Sequence, residues 1–202
     1  MQLCDRTALI TGSSSGIGRG VALAMAAAGA DIVINHPSSR DAAAAENVAS
    51  AVRALGRRVL VLEADVADEG AVQSMVDRAT AEFGHIDILV NNAGIAAAAP
   101  VHELDVAVWD RVLAVHLRGT FLMTRAVLPQ MYAHGYGRII NISSILGQKP
   151  SAGAPHYSVA KAAIITLTKT TAEEVAGLGI NVNAVCPGYI DTPLLTPFSE
   201  ML

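Results

Sequence analysis

The sequence has few cysteines, few aromatic residues and no long apolar run. Its two cysteines, Cys4 and Cys186, cannot form a disulfide framework, and neither has a second Cys or a His at metal-ligand spacing, so we predict no metal site. No segment approaches the roughly 18 apolar residues of a membrane-spanning helix, and no apolar stretch with a small-residue cleavage site lies at the N-terminus. These absences favour a reduced compartment, the cytoplasm, with no membrane contact.

Acidic residues outnumber basic ones only slightly. The formal net charge is −4, and no basic block interrupts the chain, which disfavours binding to nucleic acid or to an anionic membrane. The hydrophobic fraction of 52% and the 17 glycines exclude a disordered chain and a fibrous one. The 202 residues correspond to one domain, which is long enough to fold without disulfides or metal.

Short β-branched runs, apolar almost throughout, alternate with helix-length segments. Such runs are typical of strands covered on both faces. The predicted strands are Thr7–Ile10, Asp31–Ile34, Arg58–Leu62, Ile86–Val90, Arg138–Ile142 and Ile180–Val185. The predicted helices are Ile17–Ala28, Arg40–Leu55, Glu69–Phe83, Trp109–Met131 and His156–Leu178. We therefore predict one α/β domain over residues 1–202, a doubly wound Rossmann-type parallel sheet of about six strands with helices on both faces.

A glycine-rich turn follows the first predicted strand, at the sheet edge where such folds bind ligands. The string Thr11–Gly18 reads T-G-S-S-S-G-I-G, which is neither G-x-G-x-x-G nor a P-loop. Taken alone, these glycines fit a generic turn nearly as well as they fit a dinucleotide-binding turn. Its place between a strand and a helix favours dinucleotide binding, because the backbone can approach a pyrophosphate and the helix N-terminus supplies N–H donors. The predicted cofactor-binding residues here are Gly12, Ser14, Ser15, Gly16, Ile17 and Gly18.

The end of the second strand bears on the choice of cofactor. NAD-binding folds usually place an acid here to bind the ribose diol, but His36 stands near that point and Asp41 lies beyond it. Ser38, Ser39 and Arg40 are available for a 2′-phosphate. The alternative, of nearly equal weight, is that Ser39-Arg40 caps the following helix. We predict NADP as the preferred cofactor, with NAD as the other possibility.

Two further strand ends carry polar residues. Asp65 follows the third strand and can accept a hydrogen bond from an adenine amino group, although alone it would be an ordinary acid flanking a helix. The string Asn91-Asn92-Ala93-Gly94 follows the fourth strand, where small residues and amides would let a ribose approach. It also fits a plain turn. Because a glycine turn of the dinucleotide-binding type precedes them in the chain, we predict that Asp65 and this string contact the ligand.

Three later residues form a candidate catalytic set. Tyr157 and Lys161 are four apart in a helix-forming segment, so their side chains share one face. A phenol with a pKa of about 10 is a poor acid–base catalyst unless a neighbouring positive charge lowers that pKa. Ser144 ends the fifth strand and can hydrogen-bond the same substrate oxygen. As an isolated pair, Tyr-x-x-x-Lys is often only a helix-surface pair.

Taken in order, these motifs resemble those of the short-chain dehydrogenase/reductase family, in its compact single-domain branch. The resemblance adds Asp65-Val66, Asn183 and Pro187-Gly188, and is closest to 3-oxoacyl-acyl-carrier-protein reductases and glucose dehydrogenases. It implies hydride transfer between a nicotinamide and a carbonyl or secondary-alcohol carbon of a small molecule. By resemblance, Tyr157 is the general acid/base, Lys161 lowers its pKa and binds the nicotinamide ribose, and Ser144 orients the substrate oxygen. The other implied cofactor contacts are Val66, Asn92, Ile190 and Thr192. A homo-oligomer, tetramer or dimer, is also implied.

The sequence departs from the family in two places. His116-Leu117-Arg118-Gly119 stands where the family carries Asn-Leu-x-Gly, so His116 is a candidate for anchoring a water in the proton relay. A buried, satisfied histidine is an equally fair interpretation. The chain also ends at Leu202, short of the family's substrate-covering region, so we expect a fragment without its lid and with Ile180–Val185 as an exposed apolar edge. The alternative function is therefore a dinucleotide-binding module with weak or no turnover.

Overall fold

A computed structural model describes the backbone of residues 2–198 and the side chains of residues 2–195. Among these residues a single sheet of six strands has the order β3-β2-β1-β4-β5-β6, and every pairing is parallel. The strands are β1 Thr7–Ile10, β2 Asp31–His36, β3 Val59–Glu63, β4 Ile88–Asn91, β5 Gly137–Ile142 and β6 Ile180–Val185. The strand order reverses between β1 and β4, which places a crevice at the carboxyl ends of these two strands. The predicted fold class is confirmed.

Helices cover both faces of the sheet and enclose two apolar cores. They are α1 Gly16–Ala27, α2 Ala42–Ala54, α3 Glu69–Phe83, α4 Val106–Leu113, α5 Gly119–His134 and α6 Pro155–Glu174. On one face α1 and α2 bury small side chains against the strands, among them Ala22, Ala26, Ala45, Val48, Ile10 and Ile34. On the other face α3 and α5 pack Met75, Val76, Met123 and Val127 against Leu9, Leu89 and Ile139. Since successive strand residues point to opposite faces, the central strands must be apolar throughout.

The predicted helix Trp109–Met131 lies within one unbroken helical run that extends further at both ends and contains a π-helical turn. The chain forms α4, then a π-helical turn over Ala114–Arg118, then α5. A π-turn accommodates an extra residue and often lies at a functional site. The fifth predicted helix also ends early, because Gly177 and Gly179 take positive φ values of 82° and 75° in the turn before β6. No helix of residues 2–198 is both long and apolar enough to cross a membrane.

Strand β6 lies at one edge of the described sheet, and its expected apolar exposure needs correction. Its burial alternates, with Ile180 and Val182 buried and with Asn181 and Asn183 exposed. This period of two is typical of a strand covered on one face only. The exposed positions are therefore mainly polar, although Val185 is 47% exposed.

Candidate active site

A cavity of about 580 Å³ opens at the carboxyl ends of the strands. Nearly all of the residues predicted from sequence line it: Gly12, Ser14, Ser15, Gly16, Ile17, Asp65, Val66, Asn92, His116, Ser144, Tyr157, Lys161 and Ile190. Gly18 does not. A Cβ on Gly18 would collide with the Asn92 side chain and the Gly12 carbonyl, so this glycine serves close packing behind the turn. The tertiary fold thus brings residues from five strand ends to one cavity.

The glycine turn has the geometry of an anion-binding backbone. Gly12 and Gly16 adopt positive φ values of 61° and 52°. Ser15 caps α1 without a side-chain hydrogen bond, which leaves the first amides of the helix available as donors. These amides and the positive end of the helix dipole suit a pyrophosphate.

Two polar side chains tie this turn to neighbouring strands. Asn35 Oδ1 accepts from the Gly12 amide at 3.1 Å, and its Nδ2 donates to the Ala64 carbonyl at 3.0 Å. Thr11 Oγ1 accepts from the amides of Asn92 and Ala93, each at 2.9 Å. Sequence reasoning did not assign this bracing role to Asn35. The available signal was an amide side chain that ends an otherwise apolar strand.

The conformation of Gly12 leads to a stability prediction. An added Cβ would lie 2.9 Å from the Ala93 Cα, and the φ of 61° disfavours any L side chain. We expect Gly12→Ala to lower the free energy of unfolding by about 1 to 2 kcal/mol or more in urea denaturation.

Gly20 on α1 provides the matched control. A Cβ there meets nothing within 4 Å, so Gly20→Ala should raise the free energy of unfolding by about 0.5 to 1 kcal/mol. Equal effects of the two substitutions would contradict the assigned geometry.

At the ribose end of the cavity, the structure corrects the expectation that no acid is present. Asp41 lines the cavity, whereas Ser38, Ser39 and Arg40 lie outside its lining. Ser38 Oγ donates to Asp41 Oδ2 at 2.9 Å, so this hydroxyl is already engaged. A short 3₁₀ turn over Ser39–Asp41 precedes α2 and brings Asp41 to the cavity. The carboxylate can accept from a ribose hydroxyl and would repel a 2′-phosphate.

The candidate catalytic residues meet as predicted. Ser144 follows β5, and Tyr157 and Lys161 lie one turn apart on α6. The Ser144 side chain hydrogen-bonds Tyr157, and Ser144 Oγ also accepts from the Leu146 amide at 3.1 Å. Lys161 Nζ donates to the Ile142 carbonyl at 2.7 Å and lies 5.5 Å from the centroid of the Tyr157 ring.

Burial shifts the pKa values of Tyr157 and Lys161 in opposite directions. Burial raises the pKa of Tyr157 above its ordinary value, and the Ser144 hydrogen bond offsets this only in part. Burial also lowers the pKa of Lys161 to about 7, with Cys186 acting in the opposite direction. The expected lowering of the Tyr157 pKa by Lys161 together with the nicotinamide charge stays a prediction. Desolvation is the largest cause of both shifts, because burial penalises the charged form of each side chain.

His116 is held by the main chain. Its Nε2 lies 2.7 Å from the Ile95 carbonyl oxygen and 3.1 Å from the Ile95 nitrogen. The carbonyl contact requires the ring proton on Nε2, whereas the Ile95 amide donates to the same nitrogen and requires a lone pair there, so each contact fits a different tautomer. Burial, followed by the nearby Lys161 charge, lowers the pKa of His116 to about 3, so the ring is neutral at physiological pH. The imidazole meets the Tyr157 ring edge-on, with centroids 5.2 Å apart. His116 is therefore buried, but its Nδ1 has no hydrogen-bond partner among the described residues, and its part in a proton relay stays a prediction.

Arg111 is a cavity residue that sequence reasoning missed. It projects from α4, lines the cavity and pairs with Asp65 at 2.8 Å. No local sequence signal identifies it, because its partner lies after β3 and the two meet only in the folded chain.

Comparison with known proteins places these features in a family context. A family model described as short chain dehydrogenase matches residues 6–202. The chain is 48% identical over 192 residues to cis-4-hydroxycyclohexanecarboxylate dehydrogenase of Sinomonas cyclohexanicum, covering 95% of this chain and 76% of that protein. It is 38% identical over 198 residues to 3-oxoacyl-acyl-carrier-protein reductase of Staphylococcus epidermidis, covering 98% and 80%. A short-chain alcohol dehydrogenase structure from Sinorhizobium meliloti 1021 superposes with a TM-score of 0.93 at 33% identity, covering 98% and 78%.

Proposed function

The chain belongs to the short-chain dehydrogenase family, and we propose that it transfers hydride between a nicotinamide dinucleotide and a carbonyl or secondary-alcohol carbon of a small molecule. The observation that carries this proposal is the meeting of Ser144, Tyr157 and Lys161 in the cavity formed by the glycine turn. A dinucleotide-binding module with little turnover has no need for all three in contact.

The donor set fits the proposed cofactor. The glycine turn and the free amides of α1 would hold the pyrophosphate, Asp65 the adenine amino group and Lys161 the nicotinamide ribose. Val66, Asn92 and Ile190 would form the walls around the cofactor. When bound, the nicotinamide supplies or accepts the hydride.

The protein's own contribution is proton transfer at one oxygen. Ser144 Oγ would hold the substrate oxygen while the Tyr157 phenol donates its proton to it during reduction. Because burial raises the pKa of Tyr157, the phenol is protonated at neutral pH and ready to donate. Alcohol oxidation needs the phenolate, and the phenolate fraction rises with pH. Reduction should therefore dominate at neutral pH and oxidation should gain at alkaline pH.

His116 would act as a positioning residue. Its neutral ring supports Tyr157 from the side and fixes the backbone at Ile95 in the cavity wall. It would replace the amide that the family uses at this place. Its role is orientation, because a ring with a pKa of about 3 is too weak a base to take up a proton near pH 7.

The substrate is proposed to be an apolar carbonyl compound of the 3-oxoacyl-thioester type, with a sugar alcohol as the second candidate. Apolar side chains form part of the lining of the same cavity, including Ile95, Ala96, Leu146, Ala154 and Leu194. Such a lining suits an acyl chain better than a polyol, whose hydroxyls would lose hydrogen bonds to water. The resemblance further supports a homo-oligomer.

The first experiment is a fluorescence titration of the chain with NADPH and NADH, followed by assays of carbonyl reduction. Binding of either cofactor with turnover of a ketone supports the proposed oxidoreductase. Binding without turnover of any carbonyl compound would favour the binding-module alternative. Binding of neither would contradict the proposal.

The NADP preference stays a prediction. We propose that the Asp41 carboxylate opposes NADP binding by repelling the 2′-phosphate. Because Asp41 lines the ribose end, Asp41→Asn should lower the Kd for NADPH by about threefold or more while leaving NADH binding equal or weaker. Glu46→Gln, an equal charge change at an exposed position of α2, is the control. An unchanged ratio of the two Kd values in Asp41→Asn would remove Asp41 from cofactor selection.

A further inference from the structure

An ion pair spans the adenine end of the cavity. Arg111 Nη2 on α4 lies 2.8 Å from Asp65 Oδ2, in the segment that follows β3. Among the ion pairs formed within residues 2–198, this is the one whose two partners both line the cavity. Arg111 and Asp65 have side-chain exposures of 47% and 36%, so both remain accessible to a ligand.

The Asp65 carboxylate is held at both of its oxygens. Oδ1 accepts from the Ala67 amide at 3.0 Å, and Oδ2 accepts from Arg111. Each oxygen has a second lone pair, so the carboxylate can still accept from a ligand. Without Arg111, only the Ala67 amide would orient it, and rotation about the side-chain bonds would cost a ligand more entropy on binding.

The pair also determines which purine fits. An ionised carboxylate only accepts hydrogen bonds, so it favours a base with an amino group at C6. A base with a carbonyl oxygen at the same position would place an acceptor against a negative charge.

From this geometry we propose that Arg111 is a positioning residue of the adenine subsite, which orients the Asp65 carboxylate and makes the cavity selective for a 6-aminopurine dinucleotide. The proposal rests on the proposed dinucleotide-dependent function and deepens it. Arg111 acts through Asp65, and it also forms part of the cavity wall from the side of α4.

The test separates cofactor recognition from stability. NADPH and its analogue with hypoxanthine in place of adenine are titrated into the chain and into Arg111→Met, which keeps the length of the side chain without its charge. We expect the original chain to bind NADPH more tightly than the analogue. Arg111→Met should weaken NADPH binding about threefold to tenfold and weaken binding of the analogue less. The ratio of the two dissociation constants should therefore move closer to one. Arg111→Lys should restore part of the NADPH affinity.

Arg125 provides the matched control, since it forms an ion pair of similar length, 2.7 Å, with Glu69 outside the cavity. Arg125→Met should leave both dissociation constants unchanged. Because exposed ion pairs add little stability, the Tm of Arg111→Met should stay close to that of Arg125→Met. If Arg111 had only a structural role, Arg111→Met would instead lower the Tm and weaken the binding of both dinucleotides equally.

Several results would overturn the inference. The role of Arg111 is contradicted if Arg111→Met binds NADPH as tightly as the original chain, or if it loses equal affinity for NADPH and for the hypoxanthine analogue. It is also contradicted if the original chain binds the two dinucleotides equally well. Each of these results leaves the oxidoreductase proposal intact. Failure of the original chain to bind either dinucleotide would overturn both proposals together.

Discussion

Tyr157→Phe is expected to lower the turnover number for carbonyl reduction by about a hundredfold to ten-thousandfold, the usual contribution of a general acid. The substitution removes the hydroxyl that would donate the proton and leaves the ring in contact with His116. Loss of the hydrogen bond to Ser144 should cost only about 0.5 to 1.5 kcal/mol of stability. The measurement is steady-state reduction of a ketone with NADPH, together with the Kd for NADPH.

The discriminating result is a fall in turnover with little change in cofactor affinity. Tyr132→Phe is the control, because Tyr132 lies on α5, 45% exposed and outside the cavity. Retention of full activity by Tyr157→Phe would show that the proposed proton donor is wrong. A loss of cofactor binding in parallel with activity would indicate damage to the cavity instead.

Lys161→Met is expected to reduce turnover by about a hundredfold or more while raising the stability of the cofactor-free chain. The activity falls because the ammonium that would favour the phenolate and bind the ribose is gone. Stability rises because a charged group that is fully buried is costly, and a methionine of similar length is not. The Tm should increase by about 2 to 4 °C for each kcal/mol gained.

The pH dependence of this gain follows from the lowered pKa. Below pH 7, Lys161 is protonated in both the folded and the unfolded chain, and its full burial cost is present. Between pH 7 and about 10.4, the folded chain has released the proton while the unfolded chain keeps it. The free energy of unfolding therefore rises with pH across this window, and the advantage of Lys161→Met shrinks.

Thermal melts between pH 6 and pH 10 measure this effect. Lys169→Met, at an exposed position of the same helix, should show neither the gain in Tm nor its pH dependence. A Tm difference between Lys161→Met and the original chain that is independent of pH would contradict the buried-charge explanation. A lower Tm at pH 6 would show that the hydrogen bond to the Ile142 carbonyl outweighs the cost of burying the charge.

Local sequence patterns were sufficient to predict the fold class and the neighbourhood of the site. Apolar runs such as Thr7–Ile10 predict buried parallel strands because both faces of each strand are covered, and that is a local property. In a parallel sheet all strand ends lie at one edge, so Gly12, Asn92 and Ser144 had to approach one another once the strands were placed. The position of Lys161 relative to Tyr157 followed from helical periodicity alone.

Interactions between residues far apart in the sequence became visible only in the folded chain. The pKa values of Tyr157 and Lys161 are set by burial, which depends on every segment packed around them. A single 3₁₀ turn places Asp41 in the cavity lining rather than Arg40, which the sequence had favoured. The π-turn around His116 and the pairing of Arg111 with Asp65 likewise arise from packing between elements far apart in the chain. Local patterns specify elements and their order, whereas side-chain direction, charge and partner are properties of the folded whole.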